Sequence, residues 1–175
     1  MGNGAWTYET TSRMSDDKGL RKLANELFTK AYEAQTAGRI EEAISEYQKS
    51  IEVFPTAEAY TFLGWAYSFQ RCYDDAIQLC KKAIELDPSF GNPYNDIGAY
   101  LIEKGDWDSA IPWFEKAIGA KRYDSYCYPH YNLGRVYEQK GDWHQALKCY
   151  QRSLETNPDY VLAQKSINRL KALFN

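Results

Sequence analysis

The chain has almost no net charge: 21 basic against 24 acidic side chains leave −3 at neutral pH. Nucleic-acid binders carry a basic face, and no such surplus exists here. Blocks of like charge, the mark of acidic or basic tails, are missing as well. Cysteine occurs four times and histidine twice. Cys72, Cys80, Cys127 and Cys149 lie 8, 47 and 22 residues apart, so they form neither a C-x-x-C pair nor a zinc pattern. They read as buried free thiols of a reducing compartment. Cys127 and His130 stand three apart and can share a helix face, but two ligands do not hold a metal. There is no Gly-rich phosphate loop and no Ser/His/Asp or Cys/His constellation, and both His130 and His144 read as structural. No catalytic residue, cofactor or metal is therefore expected. No apolar run approaches membrane-spanning length, and the opening MGNGAWTYETT lacks the apolar stretch of a signal peptide. Trp6 occupies the place where an N-myristoylation signal needs Ser or Thr. The expectation is a cytoplasmic protein with neither a membrane nor a nucleic-acid partner.

What is present is a period. The small residues Ala31, Gly64, Gly98 and Gly134 are separated by 33, 34 and 36 positions, and Ala43, Ala76, Ala110 and Ala146 keep the same spacings. Pro55, Pro88 and Pro158 close three of the four units. A period of this length means stacked supersecondary units, each of which buries its apolar face only against its neighbour. The 15 Tyr and 5 Trp suit such stacking seams, which need bulky side chains. Acidic doublets at Glu41-Glu42 and Asp74-Asp75 suit the first turns of helices; adjacent helical residues point about 100° apart and cannot easily share a proton.

Residues 1–17, rich in Gly, Thr and Ser, predict a flexible N-terminal tail. Trp6 and Tyr8 in it either pack loosely on the first helix or dock into a groove. Ser15-Asp16-Asp17 supplies capping oxygens for a helix whose apolar stripe runs Leu20, Leu23, Leu27, Ala31, Ala34 and which Gly38 ends. A second helix spans about 40–53, and helix pairs follow near 57–70 and 73–86, 91–104 and 107–119, and 126–140 and 143–156. Gly105-Asp106 and Gly141-Asp142 are the turns within the last two pairs, with each Asp an N-cap. Pro112 falls inside a helix and is expected to bend it. The third unit has no closing proline and carries two extra residues, so the stretch from Gly119 to Ser125 is expected to be the irregular joint. Residues 160–174 read as a final amphipathic helix bearing Leu162, Ile167 and Leu170.

The units resemble the tetratricopeptide repeat, W-x2-L-G-x2-Y followed by A-x3-F and P. Tyr60-x2-Leu63-Gly64-x2-Tyr67, Ala76-x3-Cys80 and Pro88 carry the likeness in the second unit; His130-x2-Leu133-Gly134-x2-Tyr137, Ala146-x3-Tyr150 and Pro158 carry it in the fourth. The third offers Tyr94, Ile97, Gly98, Leu101, Ala110 and Phe114, and the first is recognised at Ala43, Tyr47 and Pro55. The resemblance implies an all-α, right-handed α-solenoid: four helix pairs at about 24–56, 57–90, 91–126 and 127–160, then a C-terminal capping helix.

It also implies a concave groove lined by the first helix of each pair. The residues one step beyond the signature stripe would face it: Asn25, Phe28, Tyr32 and Gln35, then Glu58, Thr61, Trp65 and Phe69, then Asn92, Asn95, Ala99 and Glu103, then Tyr128, Tyr131, Asn132 and Arg135. Amides can pair with an extended peptide backbone while rings hold its apolar side chains. The family's carboxylate clamp, which holds acidic chaperone tails, needs Lys, Asn and Arg at places that here carry Phe28, Tyr32, Phe62, Asn92 and Asp96. In the next frame they carry Thr61, Trp65, Asp96, Tyr128 and Asn132. Neither frame has the cations that carboxylates require. The expected function is thus a non-enzymatic adaptor for a peptide or partner helix with apolar or mildly basic segments. The alternative is a scaffold that self-associates through its capping helix or its tail.

Overall fold

The computed structural model describes the backbone of residues 5–173 and the side chains from Asp17 onward. Nine helices occupy the described residues: α1 (Ala5–Thr36), α2 (Ile40–Val53), α3 (Ala57–Phe69), α4 (Tyr73–Leu86), α5 (Asn92–Glu103), α6 (Trp107–Gly119), α7 (Cys127–Gln139), α8 (Trp143–Thr156) and α9 (Val161–Leu173). Each odd helix pairs most closely with the helix that follows it, and each pair leans on the next. The odd helices α1, α3, α5 and α7 also touch in sequence. The result is an all-α solenoid in which contacts are local and the odd helices form one continuous wall.

The small residues of the period are the points of closest approach. A Cβ added at Gly98 would lie 2.6 Å from the Phe114 ring, and one at Gly134 would lie 2.4 Å from the Tyr150 ring. Phe114 and Tyr150 are fully buried there, as is Tyr47 against Ala31. Burying a side chain of this size stabilises by about 1.5–3 kcal/mol, and the glycine lets the ring lie flat on the partner backbone. Within each pair the turn places one residue in the left-handed region: Gly38, Gly105 and Gly141 at φ 77°, 83° and 75°. In the second unit the same place holds Arg71, at φ 60°. Asp106 and Asp142 then cap α6 and α8, accepting from the Ser109 and Gln145 amides at 3.3 and 3.0 Å.

Two serines close the ends of the array. Ser50 donates to the Ala24 carbonyl and Ser153 to the Cys127 carbonyl, each at 2.8 Å, and the inner units place Ala83 and Ala117 at that position. The irregular joint is clamped rather than loose. Arg122 donates its amide to the Ser89 carbonyl at 2.9 Å, and the Gly91 amide donates back to the Arg122 carbonyl at 3.0 Å. The Arg122 side chain pairs with Glu58 at 2.6 Å and Asp87 at 2.8 Å, and its guanidinium lies 4.0 Å from the centroid of the Phe90 ring.

Expectations for the first and last helices are corrected. The first helix begins at Ala5, so Ser15-Asp16-Asp17 lies inside it. Residues 5–18 contain neither Gly nor Pro, and extending a formed helix costs far less than starting one. The side chains of Trp6 and Tyr8 lie outside the described residues. The buried stripe of α1 is Ala24, Ala31, Ala34 and Gln35, while Leu20 and Leu23 are exposed. Ala24 and Ala31 win because the close approach of α2 leaves no room for leucine. On α9 the buried residues are Ala163, Ser166, Ile167 and Leu170, and Leu162 is exposed. Helix α6 runs unbroken through Pro112, which is exposed.

Candidate functional site: an aromatic groove with an acidic floor

Thr61, Phe62, Trp65, Asn92, Asn95, Asp96, Tyr123, Ser125 and Tyr128 surround a cavity of about 310 Å³ on the wall made by α3, α5 and α7. Five of the sequence-chosen residues meet here: Thr61, Trp65, Asn92, Asn95 and Tyr128. Trp65 and Tyr128 keep 39% and 45% of their surface exposed, so both rings are available to a guest. Thr61 contributes from beneath; it is buried and its hydroxyl donates to the Ala57 carbonyl of its own helix at 2.7 Å.

Aromatic rings continue the site in both directions. Towards the N-terminus the run is Tyr32, Phe62, Trp65 and Phe69, with successive centroids 5.7, 5.8 and 5.6 Å apart, and Phe28 sits 5.2 Å from Phe62. Phe28 is half-buried on Tyr47 and supports the run, whereas Tyr32 and Phe69 are exposed. Towards the C-terminus Tyr128 and Tyr131 both meet Tyr160 edge-on, at 5.4 and 5.3 Å. Tyr131 also packs on Tyr150. Burial pushes the Tyr160 phenol up to about 12, so it stays a neutral hydrogen-bonding group.

Between the two aromatic arms the floor is polar and linked. Arg135 donates to Asn132 at 3.3 Å, Asn132 to Asn95 at 3.4 Å, and Asn95 to Asp96 at 3.3 Å. Arg135 is held further by Glu103 at 3.7 Å and lies 5.9 Å from the Trp107 ring centroid. Asn132 is thereby buried and occupied, and Asn25 stands exposed within α1, off this cavity. Gln35 is not a groove residue: it is buried beneath the wall and accepts the Tyr47 hydroxyl at 2.9 Å.

Asp96 is the unusual member. Desolvation pushes its carboxyl up to about 7 from the ordinary 3.8, against a weaker pull from the Asn95 amide. Among the described residues no cation pairs with it; the nearby cations are engaged, Arg122 by Glu58 and Asp87 and Arg135 by Glu103. Phe62 and Asp96 came to notice in the sequence only as clamp positions lacking a cation. Tyr123 and Ser125 lie in the joint, where no repeat pattern points to them. Elsewhere, Cys80, Cys127 and Cys149 are buried free thiols and Cys72 is partly exposed. Burial pushes the Cys80 and Cys149 thiols up. Among the described residues no three His, Cys, Asp or Glu side chains form a group that could hold a metal ion. No helix among them is long and apolar enough to cross a membrane.

Stacked helix pairs with an aromatic and amide-lined wall along their odd helices define a helical-repeat protein. Tetratricopeptide-repeat models match residues 25–56, 57–90, 79–111 and 128–160. The chain belongs to the tetratricopeptide repeat family. It is 32% identical over 104 residues to small glutamine-rich tetratricopeptide repeat-containing protein 2 of Mycosarcoma maydis, covering 58% of this chain and 29% of that one. It is 31% identical over 97 residues to the Hsp70-Hsp90 organizing protein of Triticum aestivum, covering 55% of this chain and 17% of that one. The chain thus spans less than a third of either relative. The pilF protein of Pseudomonas aeruginosa has the same fold, with a TM-score of 0.81 at 21% identity over 87% of this chain and 69% of that one.

Proposed function

We propose that this chain is a non-enzymatic adaptor that holds an extended segment of a protein partner along its concave groove. The observation that carries the reading is the run of exposed and half-exposed rings flanking the Asn92/Asn95 amides around one cavity. Apolar rings left open to water beside backbone-pairing amides suit a peptide better than they suit solvent. Relatives include a protein named for Hsp70 and Hsp90, but no cation lines this cavity and Asp96 does, which disfavours an acidic chaperone tail. The test is selection from a random-peptide display library on the wild type and on Trp65→Ala/Tyr128→Ala. Tyr128 serves better than Tyr131, because Tyr131 packs on Tyr150 and its loss would disturb folding. Peptides retained by the wild type and lost by a fully folded double variant support the groove. Equal retention by both refutes it.

A second reading, pairing of two copies through α9, draws on the exposed Val161, Leu162 and Leu173. Light scattering at high protein concentration separates the two, because a strict monomer excludes it.

A further inference from the structure

We propose that the cavity between α3, α5 and α7 is a seat for one basic side chain, Lys or Arg, of the bound segment, with Asp96 as its counter-ion. This deepens the groove reading and rests on it. Four aromatic residues, Phe62, Trp65, Tyr123 and Tyr128, line the cavity together with the Asp96 carboxylate. Phe62 and Trp65 stand at an interplanar angle of 75°, so they form a corner rather than a flat stack. Tyr128 faces them from α7, and Tyr123 closes the side from the joint. Aromatic faces attract a cation, more strongly as water is excluded.

A carboxylate among such rings is the chemistry that distinguishes a cation from an apolar guest. Among the described residues Asp96 has a single donor, the Asn95 amide at 3.3 Å, which is a long contact. A carboxylate in apolar surroundings without a charged partner is costly, and a cation arriving with the ligand removes that cost. Among the described residues no side chain of the protein fills the seat. Arg122, next to Tyr123 in sequence, turns away to Glu58, Asp87 and the Phe90 ring. Arg135 is anchored by Asn132, Glu103 and the Trp107 ring. The cavity's volume of about 310 Å³ accommodates one long side chain and not a folded element.

The seat also discriminates against acidic segments, because a carboxylate guest finds no cation in the cavity and meets Asp96 instead. This places charge discrimination at one residue and leaves general affinity to the aromatic arms.

The experiment takes a peptide selected on the wild-type groove and measures a thermodynamic cycle. The expected peptides share Lys or Arg at one position. Replacing that residue by norleucine is expected to weaken binding to wild type by about ten-fold or more, and binding to Asp96→Asn by several-fold less, the remainder being the attraction of the rings for the cation. The peptide-side change leaves the protein untouched, so the result does not depend on how Asp96→Asn folds. Selected peptides without a common basic residue, or an equal norleucine effect on both proteins, overturn the seat while the groove stands. Peptides retained equally by Trp65→Ala/Tyr128→Ala overturn the groove itself.

Discussion

Tyr150 donates its buried hydroxyl to Glu138, twelve residues earlier on the partner helix, at 2.8 Å. Tyr47 makes the equivalent bond to Gln35 at 2.9 Å. In the third unit the buried ring is Phe114, and the residue twelve positions before it is Ile102. Each of these two phenols is answered by an acceptor and the plain ring by a hydrocarbon, so neither hydroxyl is left without a partner. Glu138 carries a further duty, since Arg169 of α9 donates to it at 2.8 Å and so ties the last helix to the array.

Replacing Glu138 by Leu is expected to lower stability by about 1–3 kcal/mol, because the Tyr150 hydroxyl and Arg169 both lose a partner. Adding Tyr150→Phe, which copies the Phe114/Ile102 arrangement, is expected to recover part of the loss. Urea denaturation of the four proteins of the cycle measures the coupling.

Hydrogen bonds from Arg169, then Tyr150, hold the Glu138 carboxyl below its ordinary 4.5, with burial opposing them. Its stabilisation is present above the unfolded value and is lost as pH falls through the folded one. Asp96 acts in the opposite sense. Its folded value of about 7 lies above the ordinary 3.8, so the native state holds more protons between them and stability declines as pH rises from about 4 to about 7. Cys80, Tyr100 and Tyr123 share its field and remain neutral over that range. Asp96→Asn is expected to flatten this decline and to gain in stability over wild type as pH rises to about 8, with little difference at about pH 4. Thermal melts across the range give the comparison.

Gly98→Ala is expected to cost about 1–3 kcal/mol, because the new methyl meets the buried Phe114 ring at 2.6 Å, and Gly98→Glu to cost several kcal/mol. An unchanged urea midpoint for either would refute the close contact between α5 and α6.

Arg71 occupies the left-handed turn position that glycine holds in the other three units. Arg71→Gly is expected to stabilise by about 0.5–1 kcal/mol, since strain relieved at the turn outweighs the added freedom of the unfolded chain. A lowered melting temperature would contradict it.

Arg122→Ala is expected to loosen the joint. Its ion pairs are partly exposed and contribute modestly, about 1 kcal/mol together, but the backbone clasp depends on Arg122 staying over Phe90. Hydrogen exchange at the Gly91 and Arg122 amides, which bridge the clasp, is the sensitive measurement; unchanged protection would show that the side chain is dispensable there.

Much of the fold could be read from sequence because the tightest contacts are also the least tolerant. Only a residue without bulk fits where Gly98 meets Phe114 or Gly134 meets Tyr150, so the period is written in small residues. The turn caps at Asp106 and Asp142 were equally plain, since a short oxygen-bearing side chain after Gly has few other uses. The interior of α1 was harder. Leu20 and Leu23 satisfy a helical stripe as well as Ala24 does, and only the distance of α2 decides between them. The groove was legible as a list of positions but not as a set of roles. Thr61 and Asn132 point the right way yet are used up internally, and Gln35 is turned to Tyr47. Tyr123 and Ser125 lie where the period breaks, so no register argument could have placed them.

The break itself has an effect on any guest. A strictly uniform ladder would offer equivalent footholds at each rung, and a strand laid along it could slide by one unit without losing much. The two added residues before the fourth pair swing Tyr123 in beside Asp96 and make one rung unlike the rest. That asymmetry sets one end of the trough apart from the other, so a segment bound as proposed would have one favoured alignment.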